Sequence, residues 1–343
     1  MAPPPLKAII TALIITASLF YLFHQHEPPL LTASKPPSPN NKTIPNLVNL
    51  VYLVPSETSD VAFEFSHFLC AYAARHHLGP TSHLVLHTNA DAASLARARA
   101  GQSGKWARLL LDLPGLRVRH VVSPNATTTD PGAKPLRFGE HRSDFVRVAA
   151  AREFGGLYID FDVFVLRDLR PLREAGFGAV VGREVTDQVN SGVFLTRPNS
   201  LLITRWEESM PRVYDGEWVT HSNVALTRIS ETLVSESPGS VLIMERNAFN
   251  PGGWRNEDYD GLWGTHDDDD DDDDKGWELD YSRTYMLHAF MPYRARHPVH
   301  GFDRLLPRYV LERRSNFARA LYPVVSVMLE DRLVDWNDTF DGR

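Results

Sequence analysis

Asp160 and Asp162, one residue apart in the run from Leu157 to Leu166 (Leu-Tyr-Ile-Asp-Phe-Asp-Val-Phe-Val-Leu), are the pair whose type and spacing point to chemistry. In an extended segment side chains alternate, so Tyr158, Asp160 and Asp162 project one way while Leu157, Ile159 and Phe161 project the other. Two neighbouring carboxylates in so apolar a run would repel each other and lose hydration. That cost disappears where they face a cleft and share a divalent cation. An oxygen pair suits Mg²⁺ or Mn²⁺.

A helix must present this strand. Phe145, Val148, Ala149 and Ala151 recur at helical spacing, Ser143 is the expected N-cap and Gly155-Gly156 the stop, so a helix over 143–154 runs into the strand through a double glycine. Asp144 and Arg147, three apart, share one face of it.

Upstream, Leu47 to Val54 reads as a first strand closed by Pro55, and Asp60 as the cap of a helix carrying Phe63, Phe65, Phe68, Leu69, Tyr72 and Ala73. His83 to His87 and Val118 to Val122 read as further strands, with a helix over Ala90 to Ala100 between them. The alternation implies a doubly wound α/β fold, a mostly parallel sheet with helices on both faces and a ligand crevice at the carboxyl ends of its strands. Downstream, strands are expected at Ala179 to Gly182, Gly192 to Thr196, Val241 to Glu245 and Thr284 to Phe290, the last carrying His288. Glu184 to Ser191 reads as a polar loop with Asn190 in its last turn. Helices are expected at Leu201 to Met210, Val224 to Ser235 and within Phe302 to Trp336, closing the domain against the sheet.

The 343 residues, 43% hydrophobic and 23% charged, suffice for one catalytic domain with appendages. The net charge of −7 misleads, because Asp267 to Asp274 supply eight of the 43 acids and the remaining 35 face 36 bases. A near-neutral body lacks the basic surface that nucleic acid requires. The eight-residue acidic run reads as a solvated insertion, and Trp254, Trp263 and Trp277 around it as either a lip of a site or packing beneath a loop. The single cysteine, Cys70, cannot form an intrachain disulfide and reads as a buried helix thiol.

The amino terminus carries a membrane signal. Residues 1–7 form a short tail with Lys7, 8–23 an uncharged apolar run suited to an uncleaved anchor or a signal-peptide core, and 24–46 a proline-rich stem, leaving 47–343 as the body. Positive charge before the run places the body in the lumen, where the sequons at Asn41, Asn125 and Asn337 would meet the glycosylation machinery.

Taken together, Ser143-Asp144-x-x-Arg147 followed by Gly155-Gly156-Leu-Tyr158-x-Asp160-x-Asp162-Val163 resembles the DXD-containing glycosyltransferase family 32, the group of fungal Golgi mannosyltransferases and animal α-1,4-galactosyltransferases. The resemblance is close over residues 140–170, with weaker echoes at Asn190, Phe249-Asn-Pro251 and His288. It departs in the first strand, which lacks the family's tryptophan, and near Ser222-Asn-Val-Ala-Leu226, where a Gly-Pro element is absent.

The resemblance implies a GT-A fold, a nucleotide-sugar donor (GDP-mannose or UDP-galactose), a Mn²⁺ or Mg²⁺ ion, a glycan or glycolipid acceptor, transfer with retention, and type II topology in the Golgi membrane. It makes Asp162 the first metal ligand, lets Asp160 contact the ribose or sugar and reach the ion through water, and has Asp144 and Arg147 hold the donor sugar and its phosphate. Tyr158 would flank the nucleotide or pack in the core, His288 would bind the metal or serve the fold, and Asn190 would bond sugar hydroxyls or the turn backbone. Two other readings remain: an inverting transferase with Glu184 or Asp187 as base, and a non-catalytic sugar-nucleotide or glycan-binding module.

Overall fold

The computed structural model describes residues 43–266 and 276–343; the expected anchor, most of the stem, the Asn41 sequon and the acidic run lie outside them. A seven-stranded sheet runs in the order β3-β2-β1-β4-β7-β6-β8, with β1 Leu47–Val51, β2 His83–Thr88, β3 Leu116–His120, β4 Gly156–Ile159, β6 Ala179–Arg183, β7 Val189–Thr196 and β8 Val241–Met244. All its pairs are parallel except those of β7, which is antiparallel to both β4 and β6. A two-stranded antiparallel sheet, β5 Val163–Val165 with β9 Met286–His288, sits beside it.

Alternation in the central strands sends side chains to both faces. Val48, Leu50, Leu157 and Ile159 join a core with Phe65, Phe68, Trp106 and Phe317, under the Phe65–Leu78, Lys105–Leu111 and Asn316–Glu330 helices. Val51 and Tyr158 join Val148, Phe194, Trp206 and Leu226 on the other face, under the Gly139–Phe154, Leu201–Val213 and Ala225–Glu236 helices. The expected mostly parallel sheet with helices on both faces is thus observed. Burial on both faces is what lets β1 and β4 be nearly continuous apolar runs.

Several boundaries differ from the sequence expectation. The strand expected through Leu157–Leu166 breaks: Asp160, Phe161 and Asp162 form a turn that ends β4 and starts β5 in the other sheet, so the two acids do not lie on one strand face. The helix before it begins at Gly139, four residues ahead of Ser143. The early helix begins at Phe65 behind Glu64, whose backbone N–H donates to His67 Nδ1 at 2.9 Å, while Asp60 pairs with Arg97 at 3.1 Å. β1 stops at Val51. Asn190 and Ser191 belong to β7 rather than a loop, and a π-helical turn, Thr220–Val224, precedes the Ala225–Glu236 helix. Trp263 is fully buried, its ring stacked on Phe317 at 4.0 Å, and so forms no lip; Trp254 is exposed.

The double glycine is a packing requirement. Gly155 and Gly156 have φ of 64° and 91°, and a Cβ on Gly156 would run into the Leu47 carbonyl on neighbouring β1. Asn49 of β1 fastens the turn, its Nδ2 donating to the Gly155 carbonyl at 2.8 Å, and its Oδ1 accepts from His87 Nε2 at 3.0 Å.

Candidate active site

The site forms where β4 ends, beside the start of β7 and the amino-terminal half of the Gly139–Phe154 helix. Tyr158 points to the helix side, stacked on Phe194 at 5.3 Å, and its hydroxyl donates to Asp160 Oδ1 at 2.5 Å. Arg147 lies over the same ring, 4.8 Å from its centre, and reaches Asp144 Oδ1 at 2.9 Å, Asp160 Oδ1 at 3.2 Å and the Ser191 carbonyl at 3.0 Å. His221, on the π-helical turn, meets the other oxygen of Asp144 with Nε2 at 2.8 Å. A buried polar chain, His221–Asp144–Arg147–Asp160–Tyr158, thus runs into the site. Burial works against the Arg147 charge, but Asp160, Tyr158, Asp144 and Asp162 outweigh it and raise its pKa. Burial drives the Tyr158 hydroxyl well up, which keeps it a hydrogen-bond donor.

Asp162, past the turn, is buried with Oδ1 3.3 Å from His288 Nε2 and Oδ2 3.5 Å from Arg294. The register of the small sheet makes this contact, because Val163 pairs with His288. Burial pushes the two acids up, yet they part: His288 and Arg294 pull Asp162 down to about 2, while Asp160, with Asp162 beside it, stays raised despite Arg147. Asp160, Asp162 and His288 each offer a ligand atom, all within 4.8 Å of one another. Two carboxylates and an imidazole that converge while Arg294 still neutralises one acid are a donor set that fits a divalent cation.

Gly192 admits this convergence. A Cβ there would lie 2.6 Å from Asp160 Oδ2 and 3.0 Å from both Asn190 Oδ1 and His288 Cε1. Asn190 is turned inward: its Oδ1 accepts from the Gly192 N–H at 2.7 Å and its Nδ2 donates to Glu184 at 2.6 Å. Glu184 is also held by Thr186 at 3.1 Å, and Asp187 is an exposed residue in the left-handed region. Under the turn, the buried Cys70 thiol donates to the Val163 carbonyl at 3.1 Å, and burial together with the two acids raises its pKa. Phe161 is gripped from the other side by Tyr52, Phe63 and His67, with ring centres 5.0 to 6.0 Å away.

Residues 117–177 match the family described as a glycosyltransferase sugar-binding region containing a DXD motif. The matched stretch holds Asp144, Arg147, Tyr158, Asp160 and Asp162. Glucan organizing enzyme 1 of Cryptococcus neoformans var. grubii is 22% identical to this chain over 213 residues, 59% of this chain and 53% of that one, so the match spans about half the relative's length. Among solved structures, the glycosyltransferase GlyE of Streptococcus pneumoniae TIGR4 superimposes with a TM-score of 0.42 at 14% identity, covering 83% of this chain and 63% of GlyE. The galactosyltransferase LgtC, in complex with donor and acceptor sugar analogues, gives 0.38 at 15%, covering 82% and 95%.

All seven residues singled out in the sequence are brought to this one place: Asp144, Arg147, Asp160 and Tyr158 joined through Arg147 and Asp160, Asp162 grouped with Asp160 and His288, and Asn190 bonded to the Gly192 N–H. The structure adds three more, His221, Arg294 and Asn250. His221 and Arg294 carry no local signal, and Asn250 was visible only as part of Phe249-Asn-Pro251.

Proposed function

We propose that the protein is a metal-dependent retaining transferase of the GT-A type that moves a hexose from a nucleoside-diphosphate sugar to a glycan or glycolipid acceptor. In this reading it works in the Golgi lumen, with residues 8–23 as a type II anchor. One observation carries the catalytic part: Asp160 belongs both to the Asp160–Asp162–His288 group and to the Arg147–Asp144 chain. A ligand spanning the two would have its diphosphate at the first and its sugar at the second.

Asp160, Asp162 and His288 would hold the ion, and an imidazole among the donors favours Mn²⁺ over the harder Mg²⁺. When bound, the ion supplies Lewis-acid stabilisation of charge developing on the diphosphate. Arg294, 3.5 Å from Asp162 Oδ2, would stand within reach of the same phosphates. Asp144, fixed through one oxygen by Arg147 and the other by His221, presents its remaining lone pairs to sugar hydroxyls. The acceptor hydroxyl attacks the anomeric carbon on the face the diphosphate leaves. The new C–O bond forms as the sugar–phosphate bond breaks, and the hydroxyl proton passes to the departing phosphate oxygen. Glu184, occupied by Asn190 and Thr186, is less suited to serve as the base of an inverting reaction. The acceptor asparagines Asn125 and Asn337 are exposed, which agrees with a lumenal body.

The test is a donor screen on the purified chain with UDP-galactose and GDP-mannose, with and without Mn²⁺, reading hydrolysis and the anomeric configuration of any product by NMR. The expected outcome is Mn²⁺-dependent turnover with retention, reduced at least about 100-fold in Asp162→Ala. Turnover unchanged by that substitution would refute the metal assignment, and an inverted product would refute retention.

A further inference from the structure

Asn250 makes no contact with the acids of the site, yet its orientation is fixed by chemistry. Its side chain is fully buried, 2.9 Å from the carbonyl oxygen of Arg183 on one side and 3.2 Å from His288 Nδ1 on the other. A carbonyl only accepts, so the amide must turn Nδ2 toward Arg183. Oδ1 therefore faces His288. An amide oxygen also only accepts, so His288 Nδ1 must carry the hydrogen. In the neutral ring this leaves the lone pair on Nε2, the atom 3.3 Å from Asp162 Oδ1.

The chain of constraint reaches back to the sheet. The Arg246–Phe249 turn places Asn250, and its Phe249 ring packs against Gly182 of β6, where a Cβ would come within 2.6 Å of that ring. The Tyr285 N–H donates to the Ala248 carbonyl at 2.8 Å, tying the same turn to the segment that leads into β9 and His288. Phe290, stacked on the imidazole at 3.8 Å, fixes the plane of the ring.

We propose that Asn250 is a positioning residue of the metal centre: by accepting from Nδ1 it locks His288 in the tautomer that presents Nε2 to the cation, and it thereby sets the preference of the site for Mn²⁺ over Mg²⁺. The inference rests on the metal reading of Asp160, Asp162 and His288. Its physical basis is that a ring free to tautomerise or rotate is a weaker donor, and removal of such an outer partner typically costs about 10–100-fold in metal affinity. The loss should fall on Mn²⁺ more than on Mg²⁺, because the carboxylates that serve Mg²⁺ best are untouched.

The experiment titrates the full chain with Mn²⁺ alone, followed by electron paramagnetic resonance, and with Mg²⁺ in competition, for the wild type and Asn250→Leu. The expected result is a drop of about 10–100-fold in Mn²⁺ affinity with a several-fold smaller change for Mg²⁺, so that the ratio collapses. A folded Asn250→Leu that keeps the wild-type ratio overturns the proposal. A second measurement needs no variant and no metal: long-range ¹H–¹⁵N correlation on the wild type should show His288 protonated at Nδ1, and a proton on Nε2 alone overturns the proposal. Should the wild type fail to bind Mn²⁺, the metal reading falls and the role in metal preference with it, while the tautomer measurement still decides whether Asn250 fixes the His288 ring.

Discussion

His221 illustrates how one buried contact can govern a ligand it need not touch. Its Nε2 holds one oxygen of Asp144 and Arg147 holds the other, so Asp144 keeps a single orientation. A hydrogen bond to a charged group contributes about 1.5–3 kcal/mol, and an oxygen left unpaired in the interior costs a similar amount. His221→Leu should therefore raise the KM for the sugar nucleotide by about 10–100-fold while leaving Mn²⁺ affinity unchanged, since the metal group lies at the far end of the chain. Comparing binding of the sugar nucleotide with that of the bare nucleoside diphosphate separates the two effects, because only the former should weaken. At this scale the sequence was legible where spacing carries the information. Asp160 with Asp162 and Asp144 with Arg147 were readable because each pair is local. His221, Arg294 and Asn250 were not, because their partners are 77, 132 and 38 residues away and nothing local distinguishes a histidine or arginine that reaches so far. The role of Asn190 was half legible: the sequence offered sugar hydroxyls or the turn backbone, and its amide takes the Gly192 N–H, as in the second, and also serves Glu184.

Among the elements, the double-glycine corner matters most. Its left-handed backbone lets β4 start flush against β1, and the Leu47 carbonyl occupies the space a side chain would need. Gly156→Ala should destabilise the fold by about 3 kcal/mol or more, from backbone strain added to a clash with main-chain atoms, measured as a lower midpoint in urea unfolding. The corner was visible in the sequence as a helix stop. The break at Asp160–Asp162 was not, because Tyr158 to Val165 alternates like one strand and has no glycine or proline to mark the change of sheet. What ends β4 is tertiary: the Asp160 N–H still bonds the Gly192 carbonyl at 2.8 Å, while Val163 onward pairs with β9, supplied by residues more than 120 positions later. The boundary of the preceding helix was misplaced for a similar reason. Ser143 has the chemistry of a cap, but Phe138, the actual N-cap, packs on His141 and the helix starts earlier.

For the molecule as a whole, acid should be more damaging than its charge balance suggests. Burial, with Arg119 nearby, lowers the His87 pKa to about 3, against 6.5 for the free group, while the ring donates to Asn49 beneath the double glycine. Between those values the unfolded chain takes up a proton that the folded chain refuses, so stability rises with pH through this window and is lost as pH falls from about 6.5 toward 3. One such proton is worth up to a factor of ten in the folding constant per pH unit. His67, held near 4 by its burial, adds to the same slope. Urea unfolding at pH 6.5 and 4.5 should show a shallower pH dependence in His87→Leu than in the wild type, even though that variant is less stable at pH 7.

The turn from Asp160 to Asp162 has a mechanical meaning. Asp160 belongs to the end of the seven-stranded sheet, whereas Asp162 and His288 belong to the two-stranded one, so an ion held by all three is a fastener across a seam between two hydrogen-bonded layers. A fastener of this kind links cohesion to supply. Mn²⁺ at 100 times its dissociation constant should add about 2.7 kcal/mol to the folded state, raising the melting temperature with metal concentration and slowing amide exchange at Val163–Val165 ahead of the outer strands. A melting temperature indifferent to Mn²⁺ in a chain that binds it would show the seam to be already closed. If the seam does respond, then on the proposed reading a metal-free chain would be inactive and also looser where the donor's diphosphate would sit, and metal supply would govern its folding as well as its turnover.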